Sequence, residues 1–220
     1  MRWRIILTLF VVGVLSGCAH KEYVEVSAIA AKDAPTQLNK FVVVSEKYQS
    51  VDGDLQFAEY ARQVITVLNQ QGYVQVQNRN DAQVLVALSY SIGTPQIQTE
   101  VLNTPVYPWG DPSYSIGFGY YPYHAMFGYS IYQPVAYQSV NYKKLIHLQA
   151  IDAAQYAKDQ TVKTLWDVRI ANNSDNSDLR YLFPYMLMAA EPYFGKDSEH
   201  SVVVPIEEND PAVVQLRSVR

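Results

Sequence analysis

The chain has 220 residues, of which 49% are apolar, and it carries a formal net charge of −4. This length and apolar share suit one domain with a real core and a long insertion or tail. The single cysteine excludes an intramolecular disulfide framework, so packing alone must hold the core. The acidic balance, without a basic patch, argues against nucleic acid as a partner.

The N-terminal residues have the pattern of a bacterial lipoprotein export signal. Two arginines precede an apolar run from Ile5 to Val14, which is too short to span a bilayer of about 30 Å. The segment LSGC that follows matches the lipobox, in which lipid is attached to the cysteine sulfur and small residues precede it. We therefore expect a signal peptide over residues 1–17, cleavage between Gly17 and Cys18, and acylation of Cys18.

The lipid on Cys18 predicts the location of the protein. A plain signal peptide with an incidental cysteine is the alternative, and it would leave a reactive thiol in an oxidising compartment. Acylation removes that thiol and anchors the chain in a lipid bilayer, because each buried CH₂ contributes about 0.8 kcal/mol. Ala19 stands where an aspartate commonly retains lipoproteins in the inner membrane. By resemblance to that sorting pattern we expect the outer membrane, with the domain facing the periplasm.

Removal of the signal peptide also removes Arg2 and Arg4. The mature chain then has 15 basic and 21 acidic side chains and a net charge of −6. Residues 18–39 are predicted to be the lipidated cysteine and a tether, although a weak alternation that starts at Tyr23 also fits a first strand.

The first half of the following domain predicts strands around one helix. Phe41 to Val44 is a short β-branched strand candidate. Residues 55–71 place apolar side chains three and four positions apart, which predicts a helix capped by Asp54 and stopped by Gly72. Alternating apolar residues predict two further strands, at 73–77 and 82–92.

The second half predicts strands and a final helix. Residues 143–157 and 162–171 alternate as strands, and residues 179–195 fit a helix. Pro184 either kinks this helix or marks its true first turn. Residues 196–220 are expected to be a polar tail.

This order of elements predicts an α+β fold over residues 40–195. We expect an antiparallel sheet of about five strands with two helices packed on one face, interrupted by a long insertion between strands.

Three stretches together resemble a known family. They are LNQQGYVQV, NDAQVLVALSYSIG and TLWDVRIANNSDNSDLRYLFPYMLMAAEPYFG. They resemble the DUF4136 family of bacterial lipoproteins, and the likeness covers about residues 40–195. The resemblance implies an exported and lipidated protein, and it implies no catalytic residues because the family has no assigned activity. An insertion at residues 106–142 departs from the family pattern.

The insertion at 106–142 is rich in tyrosine, glycine and proline. It fits an irregular loop, or a hairpin in which residues 128–142 pair with 90–105. It also fits a contact surface for a protein, a glycan or a membrane boundary, because tyrosine offers a large apolar face with a polar tip. The predicted partner or ligand surface consists of Tyr120, Tyr121, Tyr123, Tyr129 and Tyr132.

Catalytic and metal-binding patterns are missing from the sequence. The four histidines lack metal-ligand spacing, and there is no GxSxG motif. Cys18 is committed to lipid, and the GxG at 117–119 has no helix behind it. We expect His147 to be a surface or cross-strand residue and Trp166 to be a core residue. The sequence thus predicts no enzyme, no cofactor and no metal.

These observations predict a non-enzymatic outer-membrane lipoprotein. It would serve as an accessory or structural component of the envelope that engages a protein partner through its aromatic insertion. The alternative is a periplasmic carrier or sensor of a small apolar ligand or a glycan. A tight cluster of acids around His124 or His147 would instead favour an enzyme.

Overall fold

The structure is a computed structural model that describes four stretches of the chain: 21–32, 38–46, 53–106 and 131–219. The chain divides into two compact units, one made of residues 1–94 and 142–220 and the other of residues 95–141. The predicted signal peptide lies outside the described residues.

The described residues form eight strands and four α-helices. The strands are β1 (Lys21–Ala30), β2 (Lys40–Ser45), β3 (Val74–Gln75), β4 (Val84–Ile92), β5 (Gln96–Val106), β6 (Ile131–Asp152), β7 (Thr164–Ser174) and β8 (Val202–Glu207). The α-helices are α1 (Leu55–Gln70), α2 (Ala153–Asp159), α3 (Leu179–Ala190) and α4 (Pro211–Ser218). Short 3₁₀ turns occupy Arg79–Asp81 and Glu191–Tyr193.

The sheet is mixed, and this corrects the predicted fold. Seven strands lie in the order β3-β2-β4-β6-β7-β1-β8, and β5 pairs with the first half of β6. Strand β2 runs parallel to β3 and β4, whereas the other neighbours are antiparallel. The prediction of about five antiparallel strands with two helices is wrong, because the described residues form eight strands in a mixed sheet and four α-helices.

The parallel pair follows from the connection between its strands. The chain leaves β2, passes through α1 and returns to the sheet, and a helical crossover of this kind brings strands together in parallel. Residues Val84–Leu88 of β4 are buried on both faces of the sheet. Such strands lack the apolar–polar alternation that marks a half-exposed antiparallel strand.

Two further strands come from the ends of the chain. Strand β1 lies within the range predicted as a tether (18–39), and it sits between β7 and β8. Val24 and Val26 of β1 are buried in the core, and they alternate with side chains on the more exposed face of the strand, among them Tyr23 and Glu25. Strand β8 and helix α4 form within the range predicted as a tail (196–220).

Helices α1 and α3 begin at aspartate caps. The side chain of Asp54 accepts hydrogen bonds from the backbone N–H groups of Gln56 and Phe57, both at 3.0 Å, which confirms the predicted cap of α1. Asp178 caps α3 through the N–H of Tyr181 at 3.1 Å. Pro184 lies inside α3, beyond its first turn.

The main core lies between one face of the sheet and helices α1, α3 and α4. Tyr60 of α1 stacks on Phe183 of α3, with ring centroids 4.1 Å apart. Trp166 of β7 is buried in this core, as predicted. On the opposite face, Leu85 and Ile151 pack with Ala153 of α2 in a smaller cluster.

Candidate functional site

The structure places few of the predicted site residues. Tyr132 lies in β6, where it pairs with Pro105 of β5. The other members lie outside the described residues, so lipidation and the tyrosine surface stay predictions. These members are Gly17, Cys18, Tyr120, Tyr121, Tyr123 and Tyr129.

The strands that flank the tyrosine-rich segment form a long hairpin. Strand β5 pairs with residues 131–141 of β6, in a register that runs from Gln96 opposite Asn141 to Val106 opposite Ile131. The Asn141 amide Nδ2 donates to Gln98 Oε1 at 3.3 Å near the base of the ribbon. The hairpin alternative for this region is therefore confirmed for its described strands. Of the predicted insertion, residues 131–141 belong to this hairpin, and residues 107–130 lie outside the described residues.

This hairpin exposes apolar side chains on both of its faces. Among the large apolar side chains on it, exposure reaches 66% at Ile97, 63% at Val101 and 65% at Tyr137. Glu100 is the single charged residue in the two paired segments. One face carries Ile97, Val101 and Val140, and the other carries Leu102, Val135 and Tyr137.

Such a ribbon has the features of a binding element. A two-stranded hairpin alone is marginally stable in water, and exposed apolar clusters mark interaction sites. Strand β5 pairs with β6 alone among the described strands, so its other edge offers unpaired backbone groups. Proteins usually protect such an edge with charges, and this one has a single glutamate.

An aromatic cleft of about 330 Å³ lies in the other unit. Trp166 Nε1 donates to the hydroxyl of Tyr73 at 3.1 Å, and Trp166 stacks on Phe194 with ring centroids 5.8 Å apart. Burial raises the pKa of Tyr73, and the hydrogen bond from Trp166 opposes that shift. The lining also includes Leu38, Gly195 and Lys196.

Gly195 lines this cleft at a position where a larger residue would clash with Tyr73. Its φ is +71°, in the left-handed region that favours glycine. A Cβ at this position would lie 3.0 Å from the Tyr73 hydroxyl. In the sequence, the only sign of this position is the glycine that ends the string PYFG. The contact with Tyr73 joins residues that are distant in sequence, so local patterns do not reveal it.

A buried polar row crosses three neighbouring strands on the helix-covered face. Lys144 of β6 is fully buried, and its Nζ donates to Asn172 Oδ1 at 3.0 Å and to Ser174 Oγ at 2.8 Å. Asn172 Nδ2 in turn donates to Glu22 Oε2 at 3.3 Å and to the carbonyl of Tyr23 at 3.0 Å. Sequence reasoning missed this row, although Lys144 stands in phase with the apolar residues at 146, 148 and 150.

His147 makes a cross-strand contact, as predicted. Its Nε2 lies 2.7 Å from Asp167 Oδ2 on β7, and Arg169 Nε lies 3.3 Å from the other oxygen of that carboxylate. Within the described part of the chain, no group of three histidine, cysteine or acidic side chains is arranged to hold a metal ion. The described helices also include none that is long and apolar enough to cross a membrane.

Comparisons with known proteins add little about function. No protein-family model and no curated protein matches the chain. A PDZ domain protein from Parabacteroides distasonis ATCC 8503, known from its crystal structure, is similar over 92% of this chain with 11% identity and a TM-score of 0.44. The chain spans 42% of the length of that protein. The resemblance to the DUF4136 family therefore stays a prediction.

Proposed function

We propose that this chain is a non-enzymatic lipoprotein of the outer membrane that faces the periplasm and binds another envelope protein. In this proposal Cys18 carries the lipid, and the chain is a member of the DUF4136 family. The binding element is the hairpin of β5 and residues 131–141, together with the tyrosine-rich segment that it carries. The exposed apolar side chains on both faces of this hairpin are the observation that supports the proposal most directly.

The exposed apolar side chains of the hairpin and its free strand edge indicate what kind of partner would bind it. Burying an exposed isoleucine, valine or leucine stabilises a complex by roughly 1.5–3 kcal/mol. The free edge of β5 suits an extended segment that adds as a further strand, with backbone hydrogen bonds for affinity and side-chain contacts for specificity. The proposed partner is thus an envelope protein that contributes an extended apolar segment.

Paired substitutions test this function. Ile97→Ser with Val101→Ser removes apolar area from one face, and we expect loss of the partner in co-purification from cross-linked cells. Both side chains are exposed, so the free energy of unfolding should change by less than about 0.5 kcal/mol for each. Ile29→Ser is the matched control, because Ile29 is 64% exposed on β1 in the other unit. Retention of the partner in the double variant would contradict the proposal.

The aromatic cleft favours a second candidate function, a carrier or sensor of a small apolar ligand or a glycan. Its volume of about 330 Å³ matches the lower end of small-molecule pockets. Trp166 fluorescence, measured with Trp109 replaced by phenylalanine, tests it by titration with N-acetylglucosamine and with 1-naphthol. A saturable change in Trp166 fluorescence that is weaker in Gly195→Ala would support this candidate. An unchanged spectrum would contradict it and would mean that Trp166 and Phe194 serve only to pack the core.

A further inference from the structure

Strand β1 begins very close to the predicted lipid attachment site. Its first residue is Lys21, and only residues 19 and 20 separate it from Cys18. An extended chain spans at most about 3.6 Å per residue, so the Cα of Lys21 lies no more than about 11 Å from the Cα of Cys18. A lipid on Cys18 would therefore hold the start of β1 at the surface of the bilayer.

The sheet is uncovered on one face beside this start. Tyr23 and Glu25 alternate with the buried Val24, so they lie on the face opposite the main core. On β8, Pro205 stands opposite Tyr23 and Val203 stands opposite Glu25, which places both on the same face. Tyr23 is 62% exposed and Val203 is 61% exposed, so the described residues leave this part of the sheet open.

The uncovered area continues across β7 and β6. Glu25 is opposite Ala171 of β7, and Ala171 is opposite Leu145 of β6, which is 40% exposed. We call this area the anchor-side face, and its apolar members are Tyr23, Leu145, Ala171, Val203 and Pro205. An exposed apolar area of this kind marks a contact surface.

The charged side chains of the anchor-side face balance one another. They are Lys21, Glu25, Lys143 and Glu207, two of each sign. Lys21 Nζ lies 3.6 Å from Glu207 Oε1, and Ser201 Oγ donates to Glu25 Oε1 at 2.7 Å. The face therefore has no net negative charge that anionic lipid headgroups would repel.

We propose that the anchor-side face lies on the lipid headgroups of the membrane in which the lipid on Cys18 is inserted. The proposal rests on the lipidation that is part of the proposed function. The short connection to Cys18 gives this face a high effective concentration at the bilayer, so a small apolar area is enough to keep it there. The ring of Tyr23 suits the membrane boundary because it joins an apolar body to a polar tip, and Lys21 and Lys143 extend their ammonium groups to the headgroups.

Fluorescence quenching in vesicles tests the proposal. The acylated full chain would be purified from bacterial membranes and reconstituted in phosphatidylethanolamine and phosphatidylglycerol, with and without lipids that carry a spin label on the headgroup. An environment-sensitive fluorophore would be attached at Val203→Cys on the anchor-side face or at Arg62→Cys. Arg62 is exposed on α1, which packs on the opposite face of the sheet. A third probe at Lys163→Cys lies near the other end of β1, about 30 Å along the strand from Lys21.

We expect the spin-labelled lipids to quench the probe at Val203→Cys and to leave the probes at Arg62→Cys and Lys163→Cys bright. Tyr23→Ser should weaken the quenching at Val203→Cys, because it removes the largest apolar side chain of the face. Leu55→Ser is the matched control, since Leu55 is 85% exposed on α1, and it should leave the quenching unchanged. Equal quenching at all three probes, no quenching at Val203→Cys, or equal effects of Tyr23→Ser and Leu55→Ser would overturn the proposal.

The chain without an introduced cysteine separates this proposal from the lipidation on which it rests. Its single thiol should carry lipid, so it should take up no fluorophore. Uptake of the fluorophore would contradict the lipidation and, with it, both the proposed function and this inference. No uptake, together with equal quenching of the probes at Val203→Cys and Arg62→Cys, would contradict this inference alone.

Discussion

Lys144 and Asn172 lie directly opposite each other on β6 and β7, and the Nζ of Lys144 donates to Asn172 Oδ1 at 3.0 Å. Asn172 joins this lysine to Glu22 on the next strand, so one amide connects three strands inside the fold. A charged lysine in the core is stable only while its donors are satisfied. The buried charge of Lys144 therefore depends on the hydrogen bond that Asn172 accepts from it.

Replacement of Asn172 should destabilise the fold strongly. Asn172→Ala removes one acceptor from buried Lys144 and the donor to Glu22, and we expect a loss of about 2–4 kcal/mol in the free energy of unfolding. Urea denaturation followed by circular dichroism measures it. Asn173→Ala, at the exposed neighbouring position, should cost less than about 0.5 kcal/mol. Equal effects of the two substitutions would refute the role assigned to the polar row.

The burial of Lys144 also predicts a dependence of stability on pH. Desolvation lowers the pKa of Lys144 below its ordinary value of 10.5, and the charges of Glu22 and Asp175 oppose this only in part. Between the lowered pKa and 10.5 the unfolded chain binds more protons than the folded chain, so stability rises with pH in that window.

The matched variant for this effect is Lys144→Met, which has no group to titrate. The free energy of unfolding of the native chain should rise relative to Lys144→Met as the pH approaches 10.5 from below. Urea denaturation of both proteins at several pH values measures the difference. A difference that stays constant, or falls with pH, would show that burial does not penalise the charged lysine.

The hydroxyl of Tyr73 should contribute to stability through Trp166. Tyr73→Phe leaves the indole N–H of Trp166 without its acceptor at 3.1 Å, and we expect a loss of about 1–2 kcal/mol. Tyr23→Phe is the control, because Tyr23 is exposed and should tolerate the change. Chemical denaturation with Trp166 fluorescence gives both values, and an unchanged midpoint for Tyr73→Phe would contradict the expectation.

Gly195 should tolerate alanine less well than Gly72 does. Both residues have positive φ, +71° and +89°, so both substitutions strain the backbone. Only at position 195 would the added Cβ also approach the Tyr73 hydroxyl to 3.0 Å, whereas nothing lies within 4 Å of it at position 72. Gly72→Ala should cost about 1 kcal/mol and Gly195→Ala more. Differential scanning calorimetry compares them, and the reverse order would mean that Tyr73 moves aside freely.

The sequence predicted the local elements better than their arrangement. The helix cap at Asp54, the buried position of Trp166 and the cross-strand position of His147 follow from local patterns, and the structure confirms them. The parallel pairing of β2 with β4 and the place of β1 between β7 and β8 depend on neighbours distant in sequence. Hydrophobic alternation in one strand does not specify which strand lies beside it.

The candidate sites were harder to predict for the same reason. The phase of Lys144 with Ile146 and Leu148 was a usable signal for a buried lysine, but its acceptors come from β7. The hairpin of β5 and β6 was one of several alternatives for the tyrosine-rich region, and backbone pairing was needed to select it.

In-cell photocrosslinking is the most direct test of the central claim that the hairpin and its tyrosine-rich segment bind an envelope protein. A photoreactive residue at Val101 and another at Tyr121 would probe this surface, and one at Ile29 would serve as the control. We predict that the first two positions give the same discrete crosslinked protein and that Ile29 does not. Crosslinks at all three positions alike, or none at Val101 and Tyr121 in a folded protein, would contradict the account.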